Sequence, residues 1–296
     1  MRNVMKAATL ESRFPLMAVE HGCIISKDAD ITVAYRVELP EVFTLTRAEY
    51  EAMHSTWVKA VKVLPEYSIV HKQDFFIEES YRPEACGEER SFLSRSFERH
   101  FNERPYLKHT CYLFLTRTTK EHSRTTSSFN ALTRGFIIPK EMRDKEAVAR
   151  FLECCGQFER IVNDSGLVRM ERLADGEITG TGTSAGIIEK YLSLSQEGCT
   201  CLQDITIGAG EMKIGDSLLC LHTLSDPEDL PSAVGTDSRY ERLSTDRSDC
   251  RLSFAAPIGI LLTCNHIVNQ YVFIDSPAET LQKFEQTARN MHSLSR

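Results

Sequence analysis

Pairs of cysteine and histidine separated by one residue are the first feature of this sequence that could support chemistry. The chain has 10 cysteines and 9 histidines, and chance spacing would give only about 0.6 such pairs. Four pairs are present: His21/Cys23, His109/Cys111, Cys220/His222 and Cys264/His266. On a strand the members of a pair share one face, so two pairs on neighbouring strands could bind zinc. Because no Cys-x-x-Cys motif accompanies them and cysteine is common in buried sheets, we predict no metal site.

A second candidate is the sequence GEMKIGDS at residues 210–217, which has the glycine spacing and final serine of a phosphate-binding loop. Asp216 stands where that motif requires lysine, and its negative charge would repel phosphate. The flanking residues also favour strands on both sides. We therefore interpret the segment as a β-turn at Gly215-Asp216.

The glycine-rich sequence GTGTSAG at residues 180–186 precedes a predicted short helix. The N-terminus of that helix could hold an anion. Its third glycine is one place late for a dinucleotide-binding motif, and an ordinary turn with Thr183 or Ser184 as the helix cap is the alternative. A freestanding nucleotide- or anion-binding protein that uses residues 180–186 or 210–217 therefore remains an alternative function.

Other catalytic signatures are missing from the sequence. It contains no Gly-x-Ser-x-Gly or His-Glu-x-x-His motif, and no pair of carboxylates stands out. The net charge of -7 argues against a broad surface for duplex DNA. Residues 103–150 form a locally basic belt, which leaves single-stranded DNA binding as a further alternative.

Composition places the chain among globular proteins with reduced cysteines. With 296 residues and 42% hydrophobic content it can bury a large core, either in one large domain or in two ordinary ones. The first residues lack the apolar core of a secretion signal, and no apolar run approaches the length of about 18 residues that a spanning helix needs. These features predict a cytoplasmic protein.

Residues 91–116 are the stretch around which the other predicted elements are arranged. Four apolar side chains recur at helical spacing before Pro105 ends the helix: Phe92, Leu93, Phe97 and Phe101. Residues 110–115 follow and are apolar on both alternating faces, which is typical of a strand in the middle of a sheet. We expect the helix to pack across the sheet that this strand joins.

The remaining pattern predicts an α+β fold of mixed, mainly antiparallel sheets with packed helices. Further helices are expected at 47–63, with Thr46 and Glu49 as a capping box, at 140–163, at 187–194 and from Pro277, with Ser276 as the cap. Further strands are expected at 16–25, 31–39, 67–77, 167–173, 199–207, 217–224, 252–254, 258–264 and 271–274. A turn is predicted at 174–176, a connector or long hairpin tip at 116–133 and a mobile loop at 225–249. We divide the chain into two α+β subdomains, residues 1–135 and 136–296.

Three segments resemble a known family: MRNVMKAATLESRFPLMAVEHGCIISKDADITVAYRVELP, SFLSRSFERHFNERPYLKHTCYLFLT and RGFIIPKE. Together they resemble the N-terminal region of the TraG conjugation ATPases of conjugative transposons, in the TrbE/CagE class of type IV secretion ATPases. The resemblance continues through residues 211–216 and up to Asp275. It therefore covers nearly the whole chain.

The resemblance implies a non-catalytic docking and assembly module for conjugative DNA transfer. The Walker A lysine and the catalytic carboxylates of the family have no counterpart among these residues, so we expect no catalytic, cofactor-binding or metal-binding residue here. ATP and Mg are expected only in a P-loop ATPase domain that follows, and the missing stop signal of the last helix agrees with a continuing chain. The family also implies a peripheral position at the cytoplasmic face of the inner membrane. Its implied partners are inner-membrane and cytoplasmic components of the conjugation channel, with self-association through the full-length ATPase.

Overall fold

A computed structural model of the chain describes residues 9, 14–41, 45–81, 91–119, 144–193, 203–208, 210–224, 228, 235, 237–253 and 256–294. Helices and antiparallel strands are both present within these residues, which confirms the predicted α+β fold. Every strand pair described is antiparallel.

The elements follow one another along the chain with these bounds. The strands are β1 Leu16–Glu20, β2 Cys23–Ser26, β3 Ile31–Glu38, β4 Ser68–Glu79, β5 Tyr106–Arg117, β6 Arg169–Arg172, β7 Ile205–Ile207, β8 Met212–Ile214, β9 Ser217–Leu219, β10 Ser238–Arg239, β11 Arg251–Leu252 and β12 His266–Phe273. The helices are α1 Arg47–Val61, α2 Phe92–Asn102, α3 Lys145–Asp164, α4 Asp175–Thr179, α5 Ile187–Ser193, α6 Ala256–Leu261 and α7 Pro277–Leu294.

The main sheet has the strand order β1-β2-β3-β5-β4-β12, and β6 pairs with the end of β3. Strand β5 lies inside this sheet, between β3 and β4, as residues 110–115 predict. Strands β6 and β12 come from the second predicted subdomain, 136–296, and the others from residues 1–135. The boundary at residue 135 therefore does not separate two sheets.

Helices α1 and α3 cover one face of the main sheet and form the larger core. Phe151 and Phe158 recur on one side of α3 and are fully buried in the same core as Leu113 and Leu115 of β5. Trp57 of α1 packs beside Phe158, with ring centroids 6.0 Å apart. Burying each side chain of this size stabilises the fold by about 1.5–3 kcal/mol, so the apolar stripe of α3 fixes which face of the sheet it covers.

The short helices α4 and α5 contribute to a second core on the opposite face. Ile178 of α4 and Ile187 of α5 are buried there with Phe75 and Tyr112 of the sheet. The Phe75 and Tyr112 rings meet edge to face at 5.6 Å. The main sheet is thus covered on both faces, and little of its central surface remains for another helix.

Side chains close the first turns of the longer helices. The Thr46 hydroxyl and the Glu49 carboxylate form the expected capping box at α1. Asp144 caps α3 by accepting hydrogen bonds from the backbone N–H groups of Glu146 and Ala147. Each such cap satisfies backbone N–H groups that otherwise lack a partner, which is worth about 1 kcal/mol.

Four predictions of local structure were wrong. The run 16–25 is two strands, because the chain turns at His21 and Gly22, both with positive φ. The predicted turn 174–176 begins helix α4, and the strand predicted for 217–224 ends at Leu219. The strand predicted for 258–264 is helix α6 for most of its length, with bounds Ala256–Leu261.

The second half of the predicted mobile loop forms a hairpin. Strand β10 lies in the loop and pairs with β11 just beyond it, and the Asp237 carboxylate, 4% exposed, accepts a 2.6 Å hydrogen bond from Arg251 of β11. Apart from residues 228 and 235, the first part of the loop at 225–236 lies outside the described residues. So do most of the predicted connector 116–133 and residues 199–202 of a predicted strand.

None of the helices in the described part of the chain could cross a membrane, because none of them combines the required length and apolar character.

Two helical glycines should respond to alanine in opposite ways. Gly156 in α3 has no atom within 4 Å of an added Cβ, whereas a Cβ on Gly259 in α6 would lie 2.5 Å from Cζ of Phe76. We expect Gly156→Ala to stabilise the protein by up to about 1 kcal/mol through helix propensity. Gly259→Ala should destabilise it by about 1–3 kcal/mol through overpacking.

Urea unfolding followed by circular dichroism measures both effects, and each variant serves as the control for the other. A Gly259→Ala protein more stable than the parent would contradict this packing of α6 on the sheet.

Candidate interaction site

Strands β4 and β5 extend beyond the strands on either side of them. They pair along their full length, from Ser68↔Arg117 to Glu79↔Tyr106. On one side β12 accompanies β4 only as far as Phe76, and on the other β3 accompanies β5 only as far as Cys111. The part beyond them, residues 77–81 and 91–108, forms an arm that carries helix α2.

Side chains on three strands fasten the base of the arm. The Phe76 ring lies between His109 of β5 and His266 of β12, with both centroid distances 4.6 Å and interplanar angles of 11° and 8°. The two ring nitrogens of His266 face the carbonyl oxygens of Cys264 and Gly259, at 2.7 and 3.1 Å. This stacking links β5, β4 and β12 at the level where the arm leaves the sheet.

Asp74 is the buried charge beside this stack. Its side chain is 7% exposed, and its carboxylate contacts both Lys72 and the Nε2 of His109, the latter at 2.8 Å. Burial raises the pKa of Asp74, but the hydrogen bond from His109 and the charge and hydrogen bond of Lys72 lower it more. The net pKa lies below the ordinary carboxyl value, so the carboxylate form stabilises the base of the arm.

Helix α2 exposes its apolar stripe. Phe92 and Leu93 are each 78% exposed, Phe97 is 62% exposed and Phe101 is 44% exposed. None of the residues of α2 is buried. The prediction that this helix packs across the sheet is therefore wrong, because the arm carries the helix away from a sheet that other helices already cover.

The exposed stripe is nevertheless an ordered surface. Ser91 caps the helix, and Arg99 and Glu103 form an ion pair one turn apart at 2.8 Å. The Phe97 and Phe101 rings contact each other, with centroids 4.6 Å apart. A contiguous group of apolar side chains on a capped helix is typical of a protein-binding surface. We therefore take the α2 stripe, Phe92, Leu93, Phe97 and Phe101, as the candidate interaction site.

Three of the cysteine–histidine pairs lie on the main sheet or its loops, and the fourth, Cys220/His222, follows a strand of the separate β7-β8-β9 sheet. His109 and Cys111 share one face of β5, and burial raises the pKa of the Cys111 thiol. The pair Cys264/His266 reaches the same region from β12, but the Phe76 ring separates the two histidines. His21/Cys23 lies at the β1–β2 turn and Cys220/His222 follows β9. Among the described residues, no three His, Cys, Asp or Glu side chains form a group that could hold a metal ion.

In both glycine-rich segments, side chains of the same chain lie close to the glycine backbone. Residues 210–217 contain β8, the turn at Gly215-Asp216 and the start of β9, which confirms the interpretation as a β-turn. Gly215 has φ +56°, and a Cβ there would collide with the side-chain amide of Gln203. At 180–186, the N–H of Gly186 donates to the Glu189 carboxylate at 3.0 Å. That carboxylate occupies the position that an external anion would take.

Sequence reasoning missed the contacts that hold the β1–β2 turn. The Asp175 carboxylate accepts hydrogen bonds from the N–H groups of Gly22 and His21, at 2.5 and 3.2 Å. The Arg172 guanidinium donates to the His21 carbonyl oxygen at 3.0 Å. These partners are separated by about half the chain, so local patterns contain no signal for them.

One comparison with known proteins concerns this N-terminal region. A family model described as "Domain of unknown function, B. Theta Gene description (DUF3875)" matches residues 3–55, which include β1, β2, β3 and the first turns of α1. No curated protein matches the chain. The matched residues do not include the arm or its base.

Removing the Asp74 charge should destabilise the protein in a pH-dependent way. Because the folded pKa is lowered, the carboxylate stabilises the fold above its ordinary pKa of 3.8, and this contribution disappears as the pH falls through the folded value. We expect Asp74→Asn to cost about 1.5–3 kcal/mol at pH 7. The difference between parent and variant should shrink as the pH falls from the ordinary carboxyl pKa of 3.8 through the lower folded pKa.

Urea unfolding at a series of pH values measures this difference. The control is Glu38→Gln, which removes an exposed 3.9 Å ion pair with Arg169 and should change stability by less than about 0.5 kcal/mol. A cost for Asp74→Asn that is independent of pH would contradict the assigned role.

Proposed function

We propose that this chain is a non-catalytic docking and assembly module of a conjugation ATPase of the type IV secretion class. It binds inner-membrane and cytoplasmic components of the conjugation channel from the cytoplasmic face of the inner membrane. The resemblance of its sequence to the TraG ATPases supplies the biological setting. The exposed stripe of α2 is the structural observation that carries the proposal.

The chemistry of α2 suits a protein partner. Its apolar side is aromatic, and rigid aromatic side chains contribute much of the binding energy at protein interfaces. The polar side alternates charge, with Arg95, Glu98, Arg99 and Glu103, so no single sign of charge dominates. This combination fits an apolar groove with a mixed polar rim in the partner protein.

The geometry of the glycine-rich segments supports docking over nucleotide binding. A phosphate-binding loop joins a strand to a helix, whereas residues 210–217 join two strands. At residues 180–186 the chain's own Glu189 takes the N–H group that an anion would need. In this proposal ATP and Mg belong to a separate ATPase domain, and this chain hydrolyses no ATP.

Single-stranded DNA binding gains no comparable support. The basic belt at 103–150 includes residues 120–143, which lie outside the described residues. Within the arm, Lys108 of the belt is paired with Glu79, which offsets its charge. We therefore assign the arm to a protein partner.

Replacing exposed aromatic residues of α2 should weaken docking without unfolding the protein. We expect Phe97→Ser, alone or with Phe92→Ser, to reduce co-purification with channel proteins of the same conjugative element at least about 30-fold, as the loss of an interface hot spot does. The melting temperature should stay within about 2 °C, because these side chains are exposed.

Leu281→Ser is the matched control, since Leu281 is 60% exposed on the separate helix α7. Co-purification of affinity-tagged variants with co-expressed channel proteins is the measurement, and the frequency of DNA transfer is the functional readout. Equal losses in Phe97→Ser and Leu281→Ser, or no loss in either, would contradict docking through α2. Hydrolysis of ATP by the purified chain would contradict the non-catalytic assignment.

A further inference from the structure

Strand β12 forms one edge of the main sheet. It pairs with β4 along its whole length, from His266↔Phe76 to Phe273↔Ile69. No strand in the described ranges pairs with its other side. Tyr271, Val272 and Phe273 are 54%, 49% and 54% exposed, so both faces of this strand are open near its end.

The direction of the backbone groups of β12 follows from its ladder with β4. The N–H of Ile274 donates to the carbonyl oxygen of Ser68, and in an antiparallel pair the residues alternate between facing the partner strand and facing away. The outward N–H and C=O groups therefore belong to alternate residues, namely Ile267, Asn269, Tyr271 and Phe273. These groups make no backbone hydrogen bond to another element in the part of the chain that the structure describes.

Side chains hold this edge in place. The Asn269 amide oxygen accepts hydrogen bonds from the ring Nε2 of His71 and from the Gln73 amide, at 2.9 and 2.8 Å. The Tyr271 ring stacks on His71 with centroids 4.1 Å apart. The strand is thus fixed in an extended conformation, so a partner strand would meet an ordered template and little entropy would be lost on pairing.

The two edges of the sheet differ in their protection. At the other edge β1 is five residues long, has a register irregularity between Leu16 and Ala18, and ends at Glu20. Short length, bulges and charges are the devices that keep sheet edges from pairing. Strand β12, with the sequence HIVNQYVF, is eight residues long in regular register and contains no Lys, Arg, Asp, Glu or Pro.

We propose that β12 pairs antiparallel with β12 of a second copy of this chain, so that one sheet continues through a two-fold symmetric dimer. The absence of charge favours this partner in particular. A two-fold axis places the residue on the axis opposite itself and sets the same sequence against itself, so a strand with charges of one sign would set like charges against each other. An uncharged strand meets itself without that cost.

Only some registers align the outward backbone groups of both copies. The registers centred on Asn269 and on Gln270 overlap equally, but only the one centred on Gln270 aligns all four outward residues of each copy. It places Asn269 opposite Tyr271 of the second copy and Ile267 opposite Phe273. On the other face Val268 meets Val272, and the two Gln270 amides face each other. Val272 and Phe273 each gain an apolar partner in this register, which accounts for their exposure in one copy.

Charges at residue 270 test the dimer and its register. The mass of the parent protein measured by sedimentation should be twice the 33.6 kDa of one chain. Gln270→Lys or Gln270→Glu alone should weaken dimerisation at least about tenfold through like-charge repulsion. An equimolar mixture of the two variants should restore the dimer. Met17→Lys places the same charge on the β1 edge, where Met17 is 60% exposed, and should leave the dimer intact.

A cross-link tests the same register independently. Gln270 faces away from the second copy's hydrogen bonds, and such antiparallel positions lie about 4.5 Å apart at Cα, within disulfide range. Gln270→Cys should therefore give an oxidised dimer in which mass spectrometry finds the two introduced cysteines joined to each other. The parent chain, oxidised in the same way, is the control for cross-links through the native cysteines.

Three results would overturn the proposal: a monomeric parent at about 100 μM, well above the Kd of a specific dimer, a Gln270→Lys protein that remains dimeric, or a mixture of variants that fails to associate. The aromatic residues of α2 are unchanged in all these variants. A negative result for the dimer would therefore not contradict docking through α2, and a negative result for docking would not contradict the β12 dimer.

Discussion

The pairing of β4 with β5 is the interaction on which the rest of the structure depends. Their register runs without interruption from Ser68↔Arg117 to Glu79↔Tyr106. Because side chains alternate along a strand, this register decides which residues of both strands reach the α1–α3 face and which reach the α4–α5 face. A shift by one residue would turn Leu113 and Leu115 out of the larger core. It would also change the exposure of the Asp74 carboxylate.

The same pairing also decides what stays exposed. Its inner part is flanked by β3 and β12, and its outer part is the arm that carries α2. Asp74, Phe76 and His109 lie at the transition between these parts, where the hydrogen bond between His109 and the buried Asp74 carboxylate and a stack of rings replace the missing neighbour strands. The base of the arm thus combines polar and aromatic contacts at the place where apolar burial alone would leave the strands unsupported.

Local signals predicted the elements with strong intrinsic patterns. The capping box at Thr46, the apolar stripe of α3 and the buried run 110–115 each specify their structure within about 20 residues. Helix α6 was mistaken for a strand because its apolar residues fit either element, and its close contact with Phe76 depends on a residue far away in sequence. The exposure of the α2 stripe also depends on residues far away in sequence. Periodicity identified the helix, but only the pairing of β4 and β5 shows that its apolar side is exposed.

The candidate site and the proposed dimer use different physical devices. The α2 stripe offers side chains, and its selectivity comes from the shape and rim charges of a partner groove. The β12 edge offers backbone groups, which any extended strand can satisfy, so its selectivity comes from the side chains on its two faces and from the absence of charge.

The two surfaces would reinforce each other in an assembly, because a dimer through β12 carries two arms. Two arms that reach the same channel convert the second docking event into an intramolecular one. The gain depends on the geometry of the partner sites, since arms that cannot engage together add nothing. Individually weak contacts of α2 would then suffice for stable docking.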